Sequence, residues 1–305
     1  MKTGKLMALG CLLFAGVATP FSSANAAPVE ASGIVLGSDT SWPQCGGGVP
    51  AGQAFGIVGV NGGRPGTANP CFAELLGWAS SSAGGTSQPA AAVYVNTANP
   101  GPFGAEWWPA SDADVGLAGP NPYGSCDGTA SAACSYLYGY GMAFDDVTRH
   151  GVPDPAKRLW WLDVETGNAW SWDKVANSAD IEGMAAYLQS IGAAVGIYST
   201  SYQFGLIAGQ LHPDSNLNGL KSWLAGATST ESAVELCSAP PLTAGGAVAL
   251  TQFTTDFDYN YSCLPPAPPP PPAPAPVVAP PKPPVPTLTQ DASGKRKPVL
   301  STAQN

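Results

Sequence analysis

The chain has 305 residues, of which only 11% are charged, and its 12 Lys and Arg against 21 Asp and Glu leave a formal net charge of −9. That balance argues against a nucleic-acid partner and against attraction to an anionic membrane surface, both of which need clustered cations. A neutral or cationic ligand is compatible with it.

Taken in order, the chain opens on Lys2 and Lys5, then an apolar run over 6–18, then a polar stretch ending in "ANA" at 24–26. That is the layout of a secretory signal peptide, 1–26, with an A-x-A cleavage site. The apolar run is too short to span a bilayer, so no membrane span is expected in the mature chain. A secreted, cell wall-associated protein is expected, and the mature chain carries about −11 once Lys2 and Lys5 are removed.

One globular domain is expected over 33–263. Apolar runs rich in strand-forming residues fall at 34–36, 55–60, 91–95, 159–165, 194–198, 222–225, 247–253 and 257–261. Helical patterns lie at 72–80, 136–149 and 179–191. The last has Asn177 or Ser178 as N-cap, apolar Ile181, Met184, Ala185 and Leu188 on one face, and Gly192 as its stop. Strands alternating with helices predict an α/β fold, a single-domain (β/α) TIM-like barrel, with a loop rather than a helix between the first two strands.

Six cysteines remain after the leader: Cys45, Cys71, Cys126, Cys134, Cys237 and Cys263. An even count in a secreted chain predicts three disulfides, and pairing neighbours (45–71, 126–134, 237–263) closes three modest loops. With no C-x-x-C pair and only His150 and His212, no zinc site is expected, nor any cofactor. Neither histidine lies in a nucleophile context, which argues against serine or cysteine hydrolase chemistry.

Beyond the domain, 264–286 is almost wholly Pro, Ala and Val and is expected as a polyproline II linker, its 22 residues from 265 spanning roughly 70 Å. The final 287–305, with Lys295, Arg296 and Lys297, is expected as a disordered basic tail. A monomer is expected.

The chemistry concentrates in "RLWWLDVETGNAW", 158–170. Alternation along a strand puts Asp163 and Glu165 on one face, with Leu162 and Val164 on the other. In a barrel, functional residues sit at the carboxyl ends of the strands. Asp39 follows the first expected strand; Asp256 and Asp258 stand in "TQFTTDFDYN" near the last. Each acid alone has a plain explanation as a turn or solvation residue. Several converging on one mouth do not, because crowded buried carboxylates raise one another's pKa and cost stability. Trp42, Trp170 or Trp172 would offer stacking faces for a sugar, whereas Trp160 and Trp161 read as core.

The segments "SDTSWPQ", "LWWLDVETG", "GAAVGIYST" and "TQFTTDFDYN" resemble, in order and spacing, landmarks of glycoside hydrolase family 25, the Chalaropsis-type lysozymes. The resemblance runs from Gly37 to Asn260. Thr251 stands where the family pattern has Trp, and the stretch 99–134 reads as an insertion. The resemblance implies cleavage of β-1,4 bonds in N-acetylmuramyl peptidoglycan, a cell-wall glycan. Glu165 would be the general acid, Asp163 would assist it, and Asp39, Asp258, Trp42, Gln252 and Tyr198 would bind substrate. The alternative is a catalytically silent barrel that binds cell-wall glycan.

Overall fold

The computed structural model describes residues 35–117, 119–265, 288–290 and 296–298. The expected signal peptide and nearly all of the Pro-rich linker lie outside them. The chain divides into two units, Met1–Ala267 and Pro268–Asn305.

The first unit is a closed eight-stranded barrel in sequential order. Its strands are β1 (Leu36–Thr40), β2 (Gly56–Gly59), β3 (Ala91–Asn96), β4 (Leu159–Asp163), β5 (Ala194–Ser199), β6 (Lys221–Ala227), β7 (Ala247–Thr254) and β8 (Asp258–Ser262). Helices α1 (Phe72–Ser80), α2 (Ala132–Arg149), α3 (Lys174–Ser190), α4 (Ser201–Ile207) and α5 (Thr230–Leu236) follow β2 to β6 in turn. The link from β1 to β2 holds only a 3-10 turn at Trp42–Gln44.

Strands β1 to β7 run parallel, and β8 is antiparallel to both β7 and β1. Only residues 255–257 separate β7 from β8, and a parallel crossover needs a dozen or more. The last strand therefore returns as a hairpin, and its first residue, Asp258, lies at the rim where the parallel strands end.

Two apolar layers hold this wall. Outward residues such as Val58, Val93, Trp160, Leu162 and Val164 pack under the helices with Leu76, Met184 and Leu188. Inward residues Phe55, Ile57, Ala92, Leu159, Trp161, Trp223 and Leu250 fill the barrel. Two of these rings need glycine opposite them. A Cβ on Gly37 would lie 2.3 Å from the Phe55 ring, and one on Gly196 2.3 Å from the Trp161 ring.

Three expectations are corrected. The sequence pattern puts the first strand at 34–36; pairing with β2 and β8 carries it to Thr40, so Asp39 sits within the strand rather than after it. Helix α3 begins a turn and more earlier than 179. Asp173 caps it by accepting from Val175 and Ala176 N–H, while Asn177 and Ser178 are buried inside the helix. Helices α4 and α5, seven residues each, were not read from the sequence at all. The three disulfides are the expected ones, Cys45–Cys71, Cys126–Cys134 and Cys237–Cys263.

In the second unit, within the segment expected to lack regular structure, β9 (Leu288–Gln290) pairs antiparallel with β10 (Arg296–Pro298). Among the described residues, no helix is long and apolar enough to cross a membrane.

Candidate active site

The inward phase that is apolar at the bottom of the barrel turns polar at the top. On β4 the step runs from Trp161 to Asp163, and Glu165 continues it just past the strand. The intervening Leu162 and Val164 are fully buried against the helices. In register beside Asp163 stand Asn96 of β3 and Tyr198 of β5. Asp39 of β1 lies opposite Asp258 of β8, and Gln252 of β7 opposite Asn260 of β8.

Asp39 is held by two amides. Its Oδ2 accepts from Gln252 Nε2 at 2.9 Å and from Asn260 Nδ2 at 2.8 Å. Trp223 Nε1 donates to Asn260 Oδ1 at 2.8 Å. An indole N–H can only donate, so Asn260 must turn its oxygen to Trp223 and its nitrogen to Asp39. Tyr198 completes the chain by donating its hydroxyl to Gln252 Oε1 at 2.6 Å.

Asp163 is buried, and its Oδ2 accepts from Asn96 Nδ2 at 2.5 Å. Asn96 is braced in turn by the fully buried Asn61, which bonds its backbone N–H and C=O at 3.1 Å each. Glu165 is half-buried, and its backbone carbonyl accepts the Trp170 indole N–H at 2.7 Å. The next residue, Thr166, donates both its N–H and its hydroxyl to Gln203 Oε1. The loop carrying Glu165 is therefore pinned from two sides.

The electrostatics follow from crowding and burial. Burial pushes Asp163 well above the usual carboxylate range, and the charges of Glu165 and Asp39 add to it. Asp39 is pushed up to about 7, first by burial and then by Asp258, while the amide donors Asn260 and Gln252 pull it back. Glu165 is raised by burial, with Gln203 opposing and Asp258 adding. Asp258 accepts the Thr254 hydroxyl at 2.7 Å. The phenols of Tyr94 and Tyr198 are raised by burial and by these same carboxylates, so both stay neutral.

The sequence-derived set thus divides. Asp39, Asp163, Glu165, Asp258, Gln252 and Tyr198 gather at one mouth. Trp42 stands beside it on the turn after β1, 49% exposed. Asp256 does not join them; it is exposed in the hairpin turn, accepting from Thr255 and Tyr259. Trp172 is fully exposed, and Trp160 and Trp161 are core. Thr251, at the family's Trp position, is buried on the outer side of β7 and donates to Ala233 O of α5 at 2.8 Å, so this departure leaves the mouth untouched. Asn96, Asn61, Tyr94 and Gln203 were missed. Asn96 had a signal: it extends the inward phase of Ala92 and Tyr94 with a polar residue.

Fold and mouth together define a closed α/β barrel with an acidic, partly dehydrated site at the carboxyl ends of its strands. No family model matches the chain. Over 78 residues it is 36% identical to the probable GH family 25 lysozyme 4 of Dictyostelium discoideum, a match covering 26% of this chain and 30% of that protein. That match relates the chain to the family 25 lysozymes over less than a third of the relative's length. Among solved structures, it is similar to a muramidase from Acremonium alcalophilum, with 14% identity, 75% of this chain and 93% of that one covered, and a TM-score of 0.47. It is also similar to a bacterial lysozyme from Streptomyces coelicolor, with 15% identity, 76% and 93% coverage, and a TM-score of 0.46. The barrel itself is established by its strand pairing.

Proposed function

We propose that the chain is a secreted, cell wall-associated glycoside hydrolase of lysozyme type that cleaves β-1,4 bonds in N-acetylmuramyl peptidoglycan. The observation that carries the reading is the gathering of four carboxyl groups from β1, β8 and the end of β4 at one mouth, with Asp39, Asp163 and Glu165 all raised. Like charges this close cannot all ionise, so the set retains a proton at neutral pH. Glu165 is the member placed to transfer it. Asp163 is buried and bonded to Asn96, Asp39 is fixed by two amides, and Asp258 is bonded to Thr254, whereas Glu165 stands partly buried on a pinned loop just past β4.

Glycosidic cleavage needs an acid to protonate the leaving oxygen and a second group to stabilise the oxocarbenium-like centre. Glu165 is the general acid, its proton kept available by a dehydrated setting. Asp163 stabilises the developing charge or orients the acetamido group. Asp39, Asp258, Gln252 and Tyr198 bind sugar hydroxyls, and Trp42 offers a ring face. The leader over 1–26 would export the chain, and the Pro-rich segment would act as a spacer at the wall.

The test is incubation of the purified mature protein with isolated peptidoglycan, following new reducing ends and identifying the newly exposed sugar. Release of reducing-end N-acetylmuramic acid is the expected result. Binding without release would replace the hydrolase by a silent glycan-binding barrel, and neither binding nor release would remove both.

A further inference from the structure

A cavity of about 1070 Å³ lies beside the mouth and contains none of its carboxylates. Its walls come from the loop after β2, from the insertion between β3 and α2, from one face of α2, and from Gly167–Ala169 behind Glu165. We propose that this cavity binds a neutral saccharide, namely the continuation of a glycan chain whose scissile bond lies at Glu165. The inference rests on the glycosidase reading above and extends it to a site made by the insertion.

Continuity is the first argument. Asn168 lines the cavity three residues after Glu165, at most about 10 Å along the chain, and its N–H donates to the Glu165 carbonyl at 3.2 Å. On the other side Gly63 lines the cavity, and a Cβ on it would lie 3.1 Å from the Trp42 indole nitrogen. The cavity therefore adjoins the Glu165 loop on one flank and the Trp42 ring on the other.

The lining decides the ligand class. Trp107 and Phe144 present partly exposed ring faces, 38% and 47% exposed, to a floor that includes Tyr138. Both arginines are already matched: Arg64 with Glu106 at 3.3 Å and Arg149 with Asp145 at 2.9 Å. Asp114 is occupied by the N–H groups of Ala110 and Ser111. Arg64 and Arg149 are outnumbered in the lining by Glu106, Asp114 and Asp145, so the cavity has no net positive charge to draw an acidic peptide. Flat apolar faces beside the unpartnered Asn168 side-chain amide nitrogen suit a sugar ring, with C–H on its faces and hydroxyls on its edge. At about 1070 Å³ the cavity lies just above the usual range for a small-molecule site, about 300–1,000 Å³, as a ligand of more than one ring requires.

Two variants test this without touching the mouth. Trp107→Ala removes the main ring face. Gly116→Trp fills the cavity from a position whose Cβ direction is open, so it does not depend on Trp107 being dispensable for folding. Binding of β-1,4 N-acetylglucosamine dimer and hexamer is measured by calorimetry on the full mature chain carrying Glu165→Gln. The hexamer should bind about tenfold more tightly than the dimer. Either cavity variant should abolish that advantage and leave the dimer unchanged. In chains retaining Glu165, KM for soluble peptidoglycan glycan strands should rise in either cavity variant with kcat kept. Equal hexamer affinity with and without the cavity variants overturns the inference, as does cavity-dependent binding of an acidic peptide in place of the hexamer. Cleavage of peptidoglycan with no length preference removes the cavity inference alone. Failure to bind or cleave any glycan removes the proposed function with it.

Discussion

The lower and upper halves of the barrel are built from the same strands and the same inward phase, yet they do opposite things with burial. Below, Phe55, Ile57, Trp161, Trp223 and Leu250 interlock, with Gly37 and Gly196 cut back to admit the rings. Two residues further along, Gly37 gives way to Asp39, Trp161 to Asp163, and Tyr94 to Asn96. The floor stabilises by removing apolar surface from water. The rim inherits that dry surface at a cost in stability, since Asp39, Asp163 and Glu165 are pushed toward their neutral forms. The site is therefore a continuation of the core, and its protonation depends on the packing underneath.

The comparison breaks most heavily from below. Trp161→Ala opens a cavity under Asp163 and should cost about 3–5 kcal/mol, read from the denaturant midpoint. A loss below about 1 kcal/mol would mean that the floor does not support the rim. Next in size is Asn260→Leu, which strands the Trp223 N–H and removes one donor from Asp39. A destabilisation of about 1–3 kcal/mol is expected. The Asp39 carboxyl should also titrate higher by carbon-detected NMR, because a donor that lowers it is gone.

A smaller effect is visible in the pH dependence. Asp39 sits at about 7 in the fold, against about 3.9 when unfolded. Between those values the folded state binds the extra proton, so stability falls as pH rises through that window. Asp146, pushed up to about 6 by burial, acts in the same sense. The informative quantity is therefore the difference between wild type and Asp39→Asn. The variant should lose less Tm between pH 4 and 7, by calorimetry; parallel curves would contradict the burial of Asp39. The smallest effect on the fold is expected from Trp42→Ala. At this half-exposed position stability should change by no more than about 0.5 kcal/mol, while affinity for long glycans drops.

The same contrast explains what the sequence made legible. Strands were readable because inward and outward residues are both apolar over the lower barrel, giving continuous runs such as "LWWL". The end of that run marked the rim at Asp163 and Glu165. The first strand was misplaced because its inward residues are Gly37 and Asp39, which carry no strand signal; pairing with β2 and β8 makes it a strand. The cap of α3 was missed because the helix is buried nearly all round, including Asp180 and Glu182, so its apolar periodicity starts late. The bracing pair Asn61 and Asn96 was invisible for a different reason. It joins residues 35 apart in sequence through backbone bonds that no side-chain pattern announces.

The most direct test of the account is the Glu165→Gln variant on purified peptidoglycan, with Tm measured beside the rate. The amide keeps the shape and the link to the pinned loop but has no proton to give. General acid catalysis contributes about 10²- to 10⁴-fold. Release of reducing ends should fall by at least the lower figure, with Tm little changed because a neutral acid is exchanged for an amide of the same shape. A variant that retains wild-type turnover would contradict the assignment of Glu165 and, with it, the reading of the mouth as a site of acid catalysis.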